Sequence, residues 1–351
     1  MSEDARLRLA FCGLHPDRAA RLVGELGSPA AVLAAIGAGR VPVPEGARRG
    51  AAMSAAACRE RLARLGVTVL LRAGPGYPVH LGGLPGSPDV LFVKGSLPVS
   101  PGVAIVGTRR STRYGLGLAR AYGRACAEAG WPVVSGLARG ADAEAHRGVA
   151  DAGGPGVAVL GCGPDLVYPA ENRPLLATLL AAGGAMVTEY PPGTRPEPWR
   201  FPPRNRIIAG LAAAVVVVEA AETGGALITA GAALEQGRHV FAVPGDVGRE
   251  TSRGCNLLIR DGATPVLDPA DLVASLSLLL GPARAGPAPA PGPELEAAAR
   301  ALLARLPVGG ASLEDAAAAA GLPADRALAI VSRLEVAGLV RREGSLLLPG
   351  R

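Results

Sequence analysis

Six short apolar runs are spaced along the middle of this chain: VAIVG (103–107), PVVSG (132–136), VAVLG (157–161), AMVTE (185–189), AVVVVEA (214–220) and VFAVPG (240–245). Helix-like segments fill the intervals between them. Runs apolar at nearly every residue, rather than at alternate ones, belong to strands covered on both faces, and intervening helices are the crossovers that parallel pairing needs. The pattern predicts an α/β fold with an extended Rossmann-like, doubly wound, mainly parallel sheet. In such a sheet the ligand site lies at the carboxyl ends of the strands.

The flanks differ. Residues 5–65 show helical spacing in Leu22, Val23 and Leu26 and again in Val32, Leu33 and Ile36, with Pro and Gly breaks near 13–16, 27–29 and 42–46. An extended LFVKG follows at 91–95. GPARAGPAPAPGP (281–293) is a Pro-rich linker. Beyond it, three helical patterns and a small hairpin give a winged-helix order. The expected domains are therefore an N-terminal helical domain (1–68), the Rossmann-like domain (69–280), the linker and a winged helix (294–351).

Chemistry concentrates where strands end. GTRRSTRYG (107–115) is a strand-to-helix turn whose Gly107 and Thr108 can face an anion, with Arg109 and Arg110 beside them. SGLARGADAEAH (135–146) adds Ser135, Gly136 and Arg139, and Thr223-Gly224-Gly225 forms a second anion-ready turn. FPPRNRIIAG (201–210) joins a ring to polar anchors. Phe201 can stack on a base, Arg204 and Arg206 can hold phosphates, and Asn205 can cap or read an edge. Pro202 and Pro203 suit a helix start. The net charge of +6 and pI of about 9.4 favour a polyanionic partner.

Other chemistries fit less well. The dinucleotide fingerprint G-x-G-x-x-G and the Walker A loop are absent, and the one lysine, Lys94, is placed outside the sheet. Ser135 lacks the G-x-S-x-G elbow of a hydrolase, and His146 fits better as a helix-face residue fixing its loop. Asp142, Glu189 and Glu219 could converge for acid–base work, although no spacing demands it. Five cysteines without a C-x-x-C pair and four histidines argue against zinc. No cofactor is expected. The absence of an apolar signal core or membrane-length run leads to the expectation of a cytoplasmic protein with reduced thiols and no membrane association.

VAIVGTRRSTRYG, VVSGLARGADAEAH, VAVLGCGPDLVYPAEN, TEYPPG, FPPRNRIIAGL, VVVVEA, ALITAGAALEQGRHVFAVPG and GCNLLIRDGA, in this order, resemble the bacterial DNA-processing protein A (DprA/Smf) family. The resemblance implies an extended Rossmann fold that binds single-stranded DNA and hands it to the RecA recombinase during natural transformation, with no established catalysis. It places Arg109 or Arg110, Ser135, Gly136, Phe201, Arg204, Asn205 and Arg206 in the DNA pocket, and it implies a homodimer, for which helix 226–236 offers a contact. Two blocks depart from the family pattern: Thr223-Gly224-Gly225 stands where S-G-S is usual, and Gly140-Ala141-Asp142-Ala143 where G-I-D-A is. The N-terminal segment is similar to a sterile-alpha-motif or helix-hairpin-helix start, with His15-Pro16 where a hairpin would want Gly. The winged helix carries seven arginines and seven carboxylates, which suits a protein-interaction module or a weak DNA contact. The alternative is an enzyme of the Rossmann type that cleaves nucleoside monophosphates. Its P-G-G-x-G-T-x-x-E signature is absent, with VPGDVGRE the nearest echo.

Overall fold

The structure is a computed structural model that describes residues 2–281, 298–299, 301–303, 305–307, 310–336, 340–344 and 346–349. The chain divides into two compact units, Met1–Gly286 and Pro287–Arg351. Apart from Gly281, the Pro-rich stretch 281–293 lies outside the described residues.

The first unit opens with five helices: α1 (Glu3–Phe11), α2 (Pro16–Leu26), α3 (Pro29–Gly37), α4 (Glu45–Ala52) and α5 (Ala55–Arg64). Two of the breaks between them carry serine caps: the hydroxyls of Ser28 and Ser54 accept the N–H groups of Ala31 and Ala57. The remainder alternates strand and helix: β1 (Thr68–Leu71), α6 (Val79–Gly82), β2 (Val90–Gly95), β3 (Gly102–Val106), α7 (Arg113–Glu128), β4 (Val133–Ser135), α8 (Ala141–Asp151), β5 (Gly156–Val159), α9 (Arg173–Ala181), β6 (Ala185–Thr188), α10 (Phe201–Gly210), β7 (Ala212–Val217), α11 (Gly225–Glu235), β8 (His239–Ala242), α12 (Glu250–Arg260), β9 (Thr264–Pro265) and α13 (Pro269–Leu280).

These strands form one nine-stranded sheet in the order β1-β2-β6-β5-β4-β3-β7-β8-β9. The pairs from β6 to β9 are parallel, and β1 and β2 add an antiparallel edge. This is the doubly wound sheet the apolar runs predict. The physical reason is visible residue by residue. Ala104 and Val106 of β3 pack on one face while Val103 and Ile105 pack on the other, and β7 divides Val215 and Val217 from Ala214 and Val216 in the same way. Each fully buried Val or Ile adds ~1.5–3 kcal/mol. Lys94 is a correction: it sits in the sheet, on β2 opposite Met186. An apolar run ending in a lysine still pairs there because the residue is exposed at the end of the strand. The N-terminal helices share a core with this edge, since Leu7 and Phe11 pack with Phe92 of β2, the two rings edge to face at 5.9 Å.

Helices α7 and α8 lie against each other closely enough that glycine is required. A Cβ on Gly123 would fall 2.1 Å from the Ala145 carbonyl oxygen, and one on Gly148 would fall 2.0 Å from that of Arg120. Beneath them His146 is fully buried. It meets the Val157 carbonyl at 3.3 Å through Nε2 and does not pair with Asp142. Burial pushes its pKa down to about 4, and burial with the nearby Arg238 guanidinium does the same to His80 on α6. The unfolded chain takes up these protons near pH 6.5, so it binds more of them between that value and about 4. Stability is therefore expected to fall as pH drops through this window, by roughly 3 kcal/mol for His146 alone. The buried Asp142 and Glu189, whose pKa values are raised, act in the opposite sense. Urea midpoints at about pH 7.5 and about pH 5 should converge in His146→Gln relative to wild type; an unchanged gap would count against the assignment.

In the second unit, the short strand Ala311–Ser312 leads into helix Leu313–Ala320, capped by the Ser312 hydroxyl on the Asp315 N–H, and then helix Ala324–Val336. A hairpin of Val340–Glu343 and Leu346–Pro349 follows, with Ala311–Ser312 on the outer side of the second hairpin strand. Leu302, Leu306, Ala327, Ile330, Val331, Leu334, Val340 and Leu347 form its core. Helical residues at 298–299, 301–303 and 305, two further helices and a hairpin, closed on one apolar core, make a winged helix among the described residues.

Candidate nucleic-acid interface

The sheet winds outward in both directions from β3, to β4 on one side and β7 on the other. Loops leaving their carboxyl ends diverge at that point, and a cleft of about 550 Å³ opens between them. Val106–Arg110 form one wall, Ala220 and Gly224–Ala226 another, and Phe201, Pro202, Arg204, Asn205 and Ile208 the floor and far side. Positions 201, 204, 205 and 208 share one face of α10, which is why this helix gives the cleft both its ring and a cation.

In many Rossmann-type proteins the turn after the first strand binds phosphate on a helix N-terminus. Here that place is taken by the protein itself. The Glu219 carboxylate, 2% exposed, accepts the Thr112 N–H at 2.8 Å and the Thr112 hydroxyl at 2.7 Å at the start of α7. Gly115 makes room for it, as a Cβ there would lie 2.0 Å from Oε2. The N-terminus of α11 differs. It has no side-chain cap, and Gly224, Gly225 and Ala226 line the cleft. A phosphate has an open helix start at α11 and a closed one at α7.

Arg204 is buried at 4% exposure. Its Nη1 donates to the carbonyls of Gly136, at 2.8 Å, and Val159, and its Nε donates to Asn205 Oδ1. The guanidinium thus ties together the ends of β4 and β5. Burial pushes its pKa down to about 10, against the opposing pull of the Asp142 carboxylate, so it remains charged at neutral pH. Burial also raises the pKa of Asp142, which accepts the Gly136 N–H at 3.1 Å. Above this floor the Phe201 ring, half-buried, lies 5.0 Å from the exposed Arg109 guanidinium and 5.7 Å from Tyr168. Gly161 lets the ring approach, since a Cβ there would lie 2.9 Å from it. Arg109 and Arg110 make no side-chain hydrogen bond or ion pair among the described residues.

The expected site residues therefore separate. Gly107, Thr108, Arg109, Arg110, Phe201, Arg204, Asn205, Gly224 and Gly225 line one cleft, while exposed Thr223 stands just outside its lining. Arg139 is at the margin, held by Glu171 through two bonds of 2.7 and 2.8 Å. Three of the expected residues turn their groups elsewhere, although Gly136 lies with Arg139 at the margin. The Ser135 hydroxyl is buried and donates to the Ile105 carbonyl at 2.7 Å, an inter-strand tie. Gly136 is glycine because a Cβ would lie 2.5 Å from Arg204 Nη1, so its small size serves the protein's own guanidinium. Arg206 points off the opposite side of α10, where it pairs with Glu189 at 2.5 Å. Asp142, Glu189 and Glu219 each have a different cationic or hydrogen-bonding partner and form no shared acid–base site. Tyr168, 43% exposed, is an aromatic wall that sequence reasoning missed; its only signal was its position after the β5 strand end. Among the described residues no group of three His, Cys, Asp or Glu could hold a metal ion, and no single helix is long and apolar enough to cross a membrane.

The sequence profile of DNA recombination-mediator protein A matches residues 68–277, and that of the DprA winged helix domain matches 286–344. Protein Smf of Synechocystis is 44% identical over 58% of this chain and 53% of its own length. A putative DNA processing protein DprA of Mycobacterium tuberculosis is 42% identical over 74% of this chain and 68% of its own. The chain spans about half the length of the Smf relatives from Synechocystis and Escherichia coli. Among solved structures, DNA processing protein A from Streptococcus pneumoniae superposes with a TM-score of 0.64 at 31% identity, covering 78% of this chain and 98% of that one. DNA processing protein A from Helicobacter pylori, a protein with a single-stranded DNA binding mode, gives 0.54 at 25% identity over 60% of this chain and 95% of that one.

Proposed function

This chain belongs to the DNA recombination-mediator protein A family, and from that premise we propose that its switch-point cleft receives single-stranded DNA. The observation that carries this is the Arg109 guanidinium, in no ion pair among the described residues, poised over the Phe201 ring at the cleft mouth. A base stacks on the Phe201 ring, with Tyr168 as the neighbouring aromatic wall. Flanking phosphates meet Arg109, Arg110 and the uncapped start of α11. Arg204 supplies positive charge from below rather than a direct ligand. The bound strand is then passed to the RecA recombinase during natural transformation, in the cytoplasm and by a homodimer. The charge-balanced winged helix serves as a protein contact or a weak DNA contact.

Anisotropy titrations of an oligothymidylate at two ionic strengths test this. Phe201→Ala should weaken binding about 5- to 150-fold, since a stacked base contributes about 1–3 kcal/mol. Arg109→Ala should flatten the log–log salt slope by about 0.7, the share of one phosphate on a single strand. Wild-type affinity in Phe201→Ala together with an unchanged slope in Arg109→Ala would sink the proposal. A nucleoside monophosphate hydrolase is disfavoured by the Glu219 carboxylate, which already occupies the helix start where a nucleotide phosphate would sit. Incubation with nucleoside monophosphates should release no free base.

A further inference from the structure

A second, larger cleft of about 970 Å³ lies between the N-terminal helices and the segment 191–200. Its lining holds five arginines, Arg18, Arg49, Arg61, Arg195 and Arg200, against one carboxylate, Glu197. Arg61 and Arg195 make no ion pair or side-chain hydrogen bond among the described residues. Arg200 is nine-tenths buried, and its Nε and Nη1 have no hydrogen-bond acceptor, an unusual cost for a guanidinium. Its Nη2 lies 3.8 Å from the Glu197 carboxylate, and rings hold the rest of the group, 4.0 Å from the Trp199 centroid and 4.9 Å from that of Tyr190. Trp199, 39% exposed, also stacks on the partly exposed His15 ring at 5.3 Å. A concave, arginine-rich surface with an aromatic stack and a buried guanidinium that keeps two unpartnered N–H-bearing nitrogens has the chemistry of a polyphosphate chain's binding groove.

The two clefts share a wall. Along residues 195–199, Arg195, Glu197 and Trp199 face the second cleft while Pro196 and Pro198 face the first. Residues 195–197 run without regular structure into a 3-10 turn at Pro198–Arg200, and the segment presents successive residues to opposite sides. A strand leaving Phe201 has only this proline ridge to cross before it meets free arginines again. We propose that the second cleft binds the continuation of the same single-stranded DNA, so that the N-terminal helices extend the footprint of the switch-point site. This rests on the assignment of the first cleft to single-stranded DNA.

The molecule supplies its own reporter. Of its two tryptophans, Trp131 is buried at 6% exposure and Trp199 lines the second cleft. The probes are oligothymidylates of about 6 and about 20 nucleotides, the first long enough for one cleft only. The longer oligonucleotide should change Trp199 emission, and that change should vanish in Trp199→Phe. Arg61→Ala/Arg195→Ala should weaken the 20-mer about tenfold and leave the 6-mer unchanged. Equal 20-mer affinity in wild type and the double variant, with Trp199 emission unmoved, would overturn the second cleft while Phe201→Ala still weakens the 6-mer. If Phe201→Ala leaves 6-mer binding intact, the first assignment fails instead, and the two failures are separable.

Discussion

Arg204→Met is expected to destabilise the chain by about 3–5 kcal/mol, because it leaves a buried charge and two buried carbonyls without their partner. The carbonyls of Gly136 and Val159 lose their donor, and the Asp142 carboxylate loses the cation that offsets its burial. Arg204→Lys should recover little, since an ammonium on a single stem cannot span the acceptors that the guanidinium fork reaches. Adding Asp142→Asn to Arg204→Met should return about 1–3 kcal/mol, the coupling expected of neighbouring buried groups. Denaturant titration of wild type, Arg204→Met, Asp142→Asn and the double variant closes the cycle. A loss below about 1 kcal/mol for Arg204→Met would mean that the guanidinium is not a structural tie.

Glu219→Ala should cost about 2–4 kcal/mol, with a distinctive remedy. The carboxylate satisfies a backbone N–H and a hydroxyl at the start of α7, and it places a negative charge at the positive end of a 16-residue helix. Removing it leaves an anion-shaped hole where Rossmann proteins commonly hold phosphate. Inorganic phosphate or sulfate should therefore raise the melting temperature of Glu219→Ala well beyond its effect on wild type. Equal shifts in the two proteins would show that the carboxylate does not stand in for an anion there.

The strands were legible because burial on both faces demands apolar residues at successive positions. Val103–Val106 of β3 meet that demand without a gap, and so do Ala214 and Val215 of β7, adjacent in sequence and buried on opposite faces. The gathering of Gly107–Arg110, Phe201 and Gly224–Gly225 followed from the rule that loops at strand ends meet at the switch point. What stayed hidden was which way individual polar groups turn. Arg204 and Arg206 are two residues apart and chemically identical, yet the helical pitch sends one under the cleft and the other to Glu189. The Ser135 hydroxyl and the Glu219 carboxylate both look available in sequence, and each is consumed by a partner far along the chain, Ile105 and Thr112. Such pairings depend on register between distant strands and helices, which local patterning does not carry.

The contact of α7 with α8 at Gly123 and Gly148 has a kinetic corollary. The turn 107–112 leads into one of these helices and the turn 136–140 into the other, so the two rims are locked into a single stiff body rather than hinged. An arriving polynucleotide meets sockets that are already set. Capture should therefore proceed in one bimolecular step, its observed rate rising linearly with oligonucleotide concentration and slowing with added salt, without the plateau that a rearranging receptor would impose.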